Sequence, residues 1–511
     1  MSPELNSEFP THLPHTNGSP GILPERSPLS GISVLIVGGG VAGLLAALEC
    51  WRKGHDVRIL EKSPSRILSG DVLTIGTSAV RALQRWPYMA EENERISYEM
   101  WISWHKINGD LISGPGPFRP NAQKNDSAEN PNVESTAKIY RHSRPTLHKM
   151  LADQVERVGL TVEYGNHVLR YQEDPNSAKA CVILENNDKI EADLVIAADG
   201  IGSKSYSITL GHEARARPTG VSMYRALLPI KQALVDPIID EKFPMLDNGM
   251  ASTQLWMGLV PPSFVLPLLD LFANRTPEKM CMRFSAEQRM KCYGTSHTRL
   301  ESWSNWVEPE VVLETTATID GWPEFANQLI KATTKDQIHD FKLMWREPQP
   351  CWVSPSGRVV QIGDAAHSFL PSSGNGATQG MEDAVSLAAC LQISGKENVP
   401  WATRVHNKLR FERVSCLQLL GVLNHEMRNR SANANVSQTK PIGILGSWIW
   451  KHDPEYYAIE NYEKALAHLT SGSEFLNTNI PPGHVCRPWT IDEILKAKEM
   501  GEEVVLDGDW D

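Results

Sequence analysis

The chain has 511 residues and a formal net charge of -11. That length sets two or three intertwined domains as the expectation. An acidic balance with no basic stripe argues against nucleic acid or an anionic membrane as the main partner. Eight cysteines, scattered without a C-x-x-C pair, disfavour a zinc site or a disulfide framework, so no metal centre is expected. No basic-then-apolar leader pattern is present, and the most apolar window, Val34 to Leu48, is glycine-rich and shorter than the roughly 20 residues of a membrane helix. These features predict a soluble, cytoplasmic protein with no transmembrane segment; oligomeric state leaves no trace in the sequence.

Residues 1–30 scatter six prolines among Ser, Gly and Asn with little apolar periodicity to bury, which predicts a disordered tail. Order begins at Ser33-Val34-Leu35-Ile36-Val37, a continuous apolar run of the kind that forms a buried parallel strand. Gly38, Gly40 and Gly43 follow as G-x-G-x-x-G, and a helix to about Lys53 comes next. In that motif the first glycine makes the turn, the second admits a pyrophosphate and the third packs helix on strand. A second strand, Val57 to Leu60, ends in Glu61, roughly 20 residues on, where a carboxylate can hold both hydroxyls of an adenosine ribose.

Asp71 lies in an aperiodic connection before a short amphipathic helix, Thr77 to Trp86. It is a candidate proton donor or acceptor for substrate, or equally a solvated turn residue. Ser97 to Lys106 alternates as a half-buried strand, and the polar, proline-rich run Phe118 to Thr136 reads as an exposed loop. In IYRHSRPTLHKMLADQV a strand turns into a helix with Ser143 or Arg144 near its N-cap and Pro145 in the first turn. Arg144 is thereby placed to reach a phosphate or ribityl oxygen, or is a surface arginine.

After a polar hairpin, Asp174 to Asp188, the run from Ile190 to Ala198 reads as another buried strand, ending in Asp199-Gly200. These two can close over a dinucleotide pyrophosphate, while Ser203 can cap the next helix. Val221 to Trp345 changes character to strand-like runs with aromatics and prolines, which predicts an inserted mixed sheet that shapes a pocket. Within it Tyr224-Arg225 stands out, because an Arg in an apolar strand either faces a pocket or forms an ion pair.

From Arg358 to Val385 a buried strand (Val359 to Ile362) runs into Gly363-Asp364, a loop with Pro371, Gly374, Gly376 and Ala377, and a helix to about Ile393. An Asp just past a strand accepts from ribityl-type hydroxyls, the glycines bring backbone N–H groups close to a flat anion, and the helix N-terminus adds positive charge. Trp401 to Glu426 reads as a long helix, and Trp448, Trp450, Tyr456 and Tyr457 as helix packing.

Taken together, GGGVAG with Glu61, Arg144-Pro-Thr-Leu147, DLVIAADGIGS and RVVQIGDAAHSFLPSSGNGATQ resemble the single-component FAD-dependent aromatic hydroxylases typified by p-hydroxybenzoate and salicylate hydroxylases. The GNGATQGMED version looks most like fungal members that oxidise secondary metabolites. The resemblance covers about Gly31 to Leu391 and is loose from Val221 to Trp345. It implies an α/β fold: a Rossmann-like FAD-binding domain of glutathione-reductase type (31–205 and 346–395), an inserted mixed β-sheet substrate domain (206–345) and a C-terminal helical region (396–511).

The resemblance also implies that Gly38, Gly40 and Gly43 take the pyrophosphate, Glu61 the adenosine ribose, Arg144 the middle of FAD, and Gly363 with Asp364 the ribityl chain. Asp199 and Gly200 match a motif that serves both FAD and NADPH or NADH. Pro371, Gly374, Gly376 and Ala377 match the loop at the flavin edge, and Arg225, with Tyr224 and Asp71, the substrate side. The implied reaction is NAD(P)H-dependent insertion of one oxygen atom of O₂ through a flavin C4a-hydroperoxide. Its substrate would be a hydrophobic aromatic or alkene such as a polyketide, indole alkaloid or meroterpenoid. The alternatives are a flavin-dependent halogenase, whose W-x-W-x-I-P segment is missing, and a non-enzymatic protein of the same fold.

Overall fold

The computed structural model describes residues 22–66, 72–97, 100–106, 109–117, 140–174, 177–214, 216–243, 251–257, 270–275, 279–287, 304–317, 322–431, 446–502, 504 and 506–510. Asp71, the loop from Phe118 to Thr136 and most of the N-terminal tail lie outside them.

The Ser33–Val37 strand is the middle of a five-stranded parallel sheet. The order is Val359–Gln361, Leu194–Ala197, Ser33–Val37, Asp56–Glu61, Val162–Tyr164. Its residues alternate between two cores, as strand geometry requires. Val34 and Ile36 pack with the helices Val41–Arg52, Arg144–Arg157 and Gly376–Ser394. Leu35 and Val37 pack on the other face with Val168, Tyr171, Val182 and Ile190. Both faces are covered, so the strand reads as an unbroken apolar run, and each such side chain contributes about 1.5–3 kcal/mol by leaving water.

The covering on that second face is a three-stranded antiparallel meander, Val168–Asp174, Lys179–Leu184 and Lys189–Ala192. The expected single strand from Ile190 to Ala198 is therefore two strands in two sheets. Asp193 divides them: its Oδ2 accepts from the backbone N and the Oγ of Ser33 at 2.8 and 2.9 Å. The break is invisible in the sequence because Ala192 and Leu194 are both fully buried on either side of it.

A second, eight-stranded sheet runs in the order Ser304–Trp306, Ile338–Trp345, Arg217–Pro229, Lys279–Glu287, Asp270–Arg275, Ala251–Met257, Met100–Lys106, Leu111–Pro117. One face is closed by the helices Pro237–Lys242, Pro309–Thr316 and Glu324–Lys331 over Tyr224, Ala226, Leu228, Trp256 and Ile338. The Met100–Lys106 strand pairs in parallel with Ala251–Met257, which corrects the expected boundaries. The hairpin at 100–117 belongs to the second sheet although it lies within 31–205, the expected first stretch of the other domain. Its alternation marked a half-buried strand without indicating a partner.

C-terminal to the Gly376–Ser394 helix come Val399–Ser431 and Pro454–Ser471, which pack on it through residues such as Leu409, Ala458 and Tyr462. Trp448 is buried as expected, whereas Tyr456 is 60% exposed and takes no part in the packing. Asp453 caps the Pro454–Ser471 helix by accepting from the N–H groups of Glu455 and Tyr456 at 3.0 and 3.1 Å. Glu455, in the first turn, meets Lys53, accepts from Arg52 at 2.8 Å and forms an ion pair with Arg85 at 3.0 Å, docking this helix against the first.

Burial pushes the Glu455 carboxyl up, but Arg85, Lys53 and Arg52 outweigh it and bring its pKa from 4.5 to about 2. A depressed folded-state pKa stabilises fully above the unfolded value. This contribution is thus complete above pH 4.5 and is lost as pH falls toward 2. Urea midpoints measured from pH 6 downward should fall more steeply for the wild type than for Glu455→Gln; parallel slopes would contradict the assignment.

Candidate active site

The glycine turn is built by close backbone approach. Gly38 has φ +113, and a Cβ there would lie 2.3 Å from the Ala198 carbonyl oxygen; one on Gly43 would lie 2.0 Å from that of Gly38. Around Gly40, by contrast, the space is open, which leaves room for a ligand at the N-terminus of the first helix. Glu61 is held beside this turn, its Oε2 accepting from Gly39 N at 2.7 Å and its Oε1 from Ser63 N at 2.8 Å.

Asp364 follows the Val359–Gln361 strand, between the buried residues Gly363 and Ala365. Its side chain is exposed, yet the surrounding protein desolvates it enough to raise its pKa, against the fields of His367, Arg144 and Arg346. An exposed but desolvated carboxylate faces a cleft rather than bulk water. Arg144, the first residue of its helix after the Ser143 N-cap, is exposed to the same space and makes no hydrogen bond among the described residues.

The expected ring-edge loop lies one segment on. Pro371 and Gly374 are exposed, Gly374 adopts φ +63 in open space, and Asn375 stands at the N-cap of the Gly376–Ser394 helix without a side-chain capping bond. The N–H groups of its first turn, from Gly376 and Ala377 on, have no intrahelical partners and carry the positive end of the helix dipole. From Thr378 to Leu391 every residue is buried. Within that stretch, Asp383 Oδ2 accepts from Gly363 N at 3.0 Å and lies 2.5 Å from His367 Nε2. Asp383 Oδ1 accepts from Arg410 Nε at 2.9 Å. Glu382 accepts from Arg410, Arg413 and Ser78 at 2.5 to 3.0 Å. Burial raises the pKa of Glu382, but Arg413 and then Arg410 outweigh it and hold the carboxyl far below the usual range.

Asp199 approaches from the Leu194–Ala197 strand. Its Oδ2 accepts from Tyr171 Oη at 2.7 Å, while its buried Oδ1 has no partner. Burial raises its pKa, opposed by the neighbouring Ser203 and Tyr171 hydroxyls. Gly200 (φ +76) and Gly202 face open space. Ser203 does not cap the next helix as expected; it accepts from Ser205 N at 3.1 Å, inside the same turn. Arg346 went unnoticed in the sequence. It is 7% exposed and donates to Tyr206 Oη at 2.5 Å and to the Ile201 carbonyl at 2.8 Å, with its Nε left unpartnered. The one available sign was an arginine directly after a strand that ends in Trp345.

Tyr224 and Arg225 do not share a pocket, because neighbours in a strand point to opposite faces. Tyr224 is buried under the helices, which corrects its expected place beside substrate. Arg225 lies on the other face, its guanidinium 4.9 Å from the Phe341 ring. Trp345, on the same side of its strand as Phe341, packs into the cluster that contains Leu370, so the face bearing Arg225 turns toward the Pro371 loop.

The parallel sheet with its glycine turn, the meander behind it and a cleft flanked by Arg144, Arg346 and Asp364 define a dinucleotide-binding flavoprotein. The family model described as FAD binding domain matches residues 31–398. The FAD-dependent monooxygenase fsr3 of Gibberella fujikuroi is 37% identical over 95% of this chain and 90% of its own length. Among solved structures, native FqzB superposes with a TM-score of 0.73 at 25% identity, covering 90% of this chain and 99% of that one. CtdE in complex with FAD and a substrate does so with a TM-score of 0.70 at 25% identity, covering 86% and 100%. The chain belongs to this FAD-binding monooxygenase family and is an FAD-dependent monooxygenase. No described helix is long and apolar enough to cross a membrane.

Arg410→Met leaves Asp383 and Glu382 with one cation too few in a dry site. It should cost about 3–5 kcal/mol in a urea melt, the range for breaking one side of a buried ion cluster. A loss below about 1 kcal/mol would mean the cluster behaves like a surface pair.

Proposed function

We propose that the enzyme uses NADPH or NADH and O₂ to insert one oxygen atom into a hydrophobic aromatic or alkene substrate, a polyketide, indole alkaloid or meroterpenoid of fungal secondary metabolism. The observation that carries the reading is the exposed, desolvated Asp364 in the joint field of Arg144 and Arg346, together with the open space at Gly40, Gly200 and Gly374. These residues fit FAD. Gly38, Gly40 and Gly43 with the first helix N-terminus would hold the diphosphate and Glu61 the adenosine ribose. Arg144 would hold the middle of the cofactor, Asp364 with Gly363 the ribityl hydroxyls, and the unpartnered Oδ1 of Asp199 a further donor. When bound, FAD supplies electron acceptance from the nicotinamide and activation of O₂.

The protein supplies position and electrostatics. The free N–H groups at Gly376 and Ala377 and the helix behind them stabilise negative charge at the ring edge. Pro371 and Gly374 shape the edge from outside. Arg225, buried on the face of the second sheet away from the helices, would orient an electron-rich substrate and stabilise the anion of a phenol or enol. Asp199 and Gly200, with the Tyr171 hydroxyl fixing the carboxylate, would serve the nicotinamide cofactor as well as FAD.

Asp364→Ala removes acceptors for cofactor hydroxyls, a loss of about 1.5–3 kcal/mol or roughly ten- to a hundred-fold in affinity. Titration of apoprotein with FAD, followed by flavin fluorescence, should show it; an unchanged Kd would sink the ribityl assignment. NADPH and NADH oxidation under air, with peroxide quantified, against phenols, polyketides and indole alkaloids tests the reaction. One compound should speed oxidation and yield an oxygenated product, and Arg225→Ala should divert that turnover to hydrogen peroxide. Unchanged coupling and product in Arg225→Ala would remove it from the substrate site.

A further inference from the structure

The turn that carries Asp364 is closed on a single oxygen atom. Asp383 Oδ2, on the Gly376–Ser394 helix, accepts from Gly363 N at 3.0 Å and lies 2.5 Å from His367 Nε2. Between those two contacts the chain loops back on itself, the N–H groups of Ala366 and His367 donating to the Gly363 carbonyl at 2.9 and 2.8 Å. Burial raises the pKa of Asp383, but His367 and then Arg410 outweigh it and hold the carboxyl far below the usual range. An ionised carboxylate only accepts, so His367 is the donor. Its ring is 2% exposed and caged, with the Trp352 ring centroid at 5.0 Å and that of Phe369 edge-on at 5.6 Å. The other oxygen of Asp383 is taken by Arg410 Nε at 2.9 Å, which fixes the carboxylate against rotation. Small residues back the turn as well: a Cβ on Gly363 would lie 3.1 Å from Ala42 Cβ, and one on Gly380 would lie 3.3 Å from Gly363 Cα. Asp364 itself makes no hydrogen bond among the described residues, so its place is set by the turn.

We propose that His367 is a positioning residue for the ribityl end of FAD, acting through Asp364, an assignment that rests on the reading of Asp364 as the ribityl acceptor. Gly363 N opens the turn and the His367 imidazole ends it. Because both meet one oxygen, that oxygen fixes the span of the turn and with it the position of Asp364. A carboxylate serves a hydroxyl only within a narrow range of distance and angle. Without the imidazole bond one end of the turn is loose, and Asp364 has to be ordered as the cofactor binds, a cost that weakens binding. The effect is local, since His367 shares no hydrogen bond with Gly38, Gly40, Gly43 or Glu61 among the described residues. Ligands with and without a ribityl chain should therefore respond differently to its loss. Reach matters too. The far ring nitrogen makes the bond to Asp383; glutamine carries an N–H at nearly the same distance from the backbone, whereas the asparagine nitrogen stands where Nδ1 does and falls short.

Full-length apoprotein and its variants would be titrated with FAD, followed by flavin fluorescence, and with ADP, followed by calorimetry. ADP carries the adenosine and the diphosphate but no ribityl chain. His367→Leu should bind FAD about ten-fold more weakly, the scale of one lost charge-assisted hydrogen bond, with its ADP affinity unchanged. His367→Gln should recover wild-type FAD affinity and His367→Asn should not; this pair carries the test if the leucine variant fails to fold. Asp364→Ala combined with His367→Leu should bind FAD no more weakly than Asp364→Ala alone, because His367 works through that carboxylate. Equal FAD Kd in the Gln and Asn variants, parallel losses of FAD and ADP, or additive losses in the double variant would each overturn the positioning role. Failure of the underlying reading looks different. An Asp364→Ala variant that binds FAD as the wild type does would remove the ribityl assignment and the role of His367 with it. A weakened Asp364→Ala beside an unchanged His367→Leu would remove His367 alone.

Discussion

Two adjacent carboxylates, Glu382 and Asp383, fully buried with Arg410 and Arg413, are the constraint on which the rest of the site depends. Successive residues on a helix point about 100° apart, so the two reach in different directions. Asp383 binds the turn at Gly363 and His367, directly beneath Asp364. Glu382 binds Ser78 on one side and, through Arg413, the carbonyls of Trp448, Ile449 and Asn479 on the other. Dry charges are costly unless every lone pair and proton is used, and here nearly all are. The requirement that all partners be present at once fixes the Gly376–Ser394 helix against three separate parts of the chain.

The glycine turn, Glu61, Asp199 and Asp364 come from four places in the sequence, but each follows or ends a strand of the same parallel sheet. Their convergence is the usual consequence of binding at the carboxyl ends of parallel strands. It explains why no single motif sufficed and why their order along the chain was informative. The strand-and-turn units were legible because local chemistry forces them: Gly38 and Gly43 have no room for a side chain, and Ser143 with Pro145 can only begin a helix at Arg144.

What sequence reading missed are pairings between distant segments. The hairpin at 100–117 finds its partner at Ala251–Met257, and nothing in either run names the other. Asp193 looks like one polar residue in a strand, and only its bonds to Ser33 reveal a corner. Tyr224 and Arg225 were read as a pair because they are adjacent, although a strand separates such neighbours. Arg346 and the Glu382–Arg413 cluster were hidden for the same reason: a charged residue in an amphipathic run looks solvated until the helix that covers it is known.

The crossing of the two sheets also bears on how the chain is made. The first sheet lacks its edge strand until Val359–Gln361 has been synthesised, and the second lacks Ile338–Trp345. A nascent chain therefore carries two incomplete sheets with unpaired edges through most of its synthesis, and neither can close ahead of the other by much. Long-range pairings of this kind fold slowly and expose sticky edges while they wait. For this polypeptide the danger of aggregation is greatest before the last strands emerge, so chaperone dependence would lie in the nascent chain rather than in the finished fold.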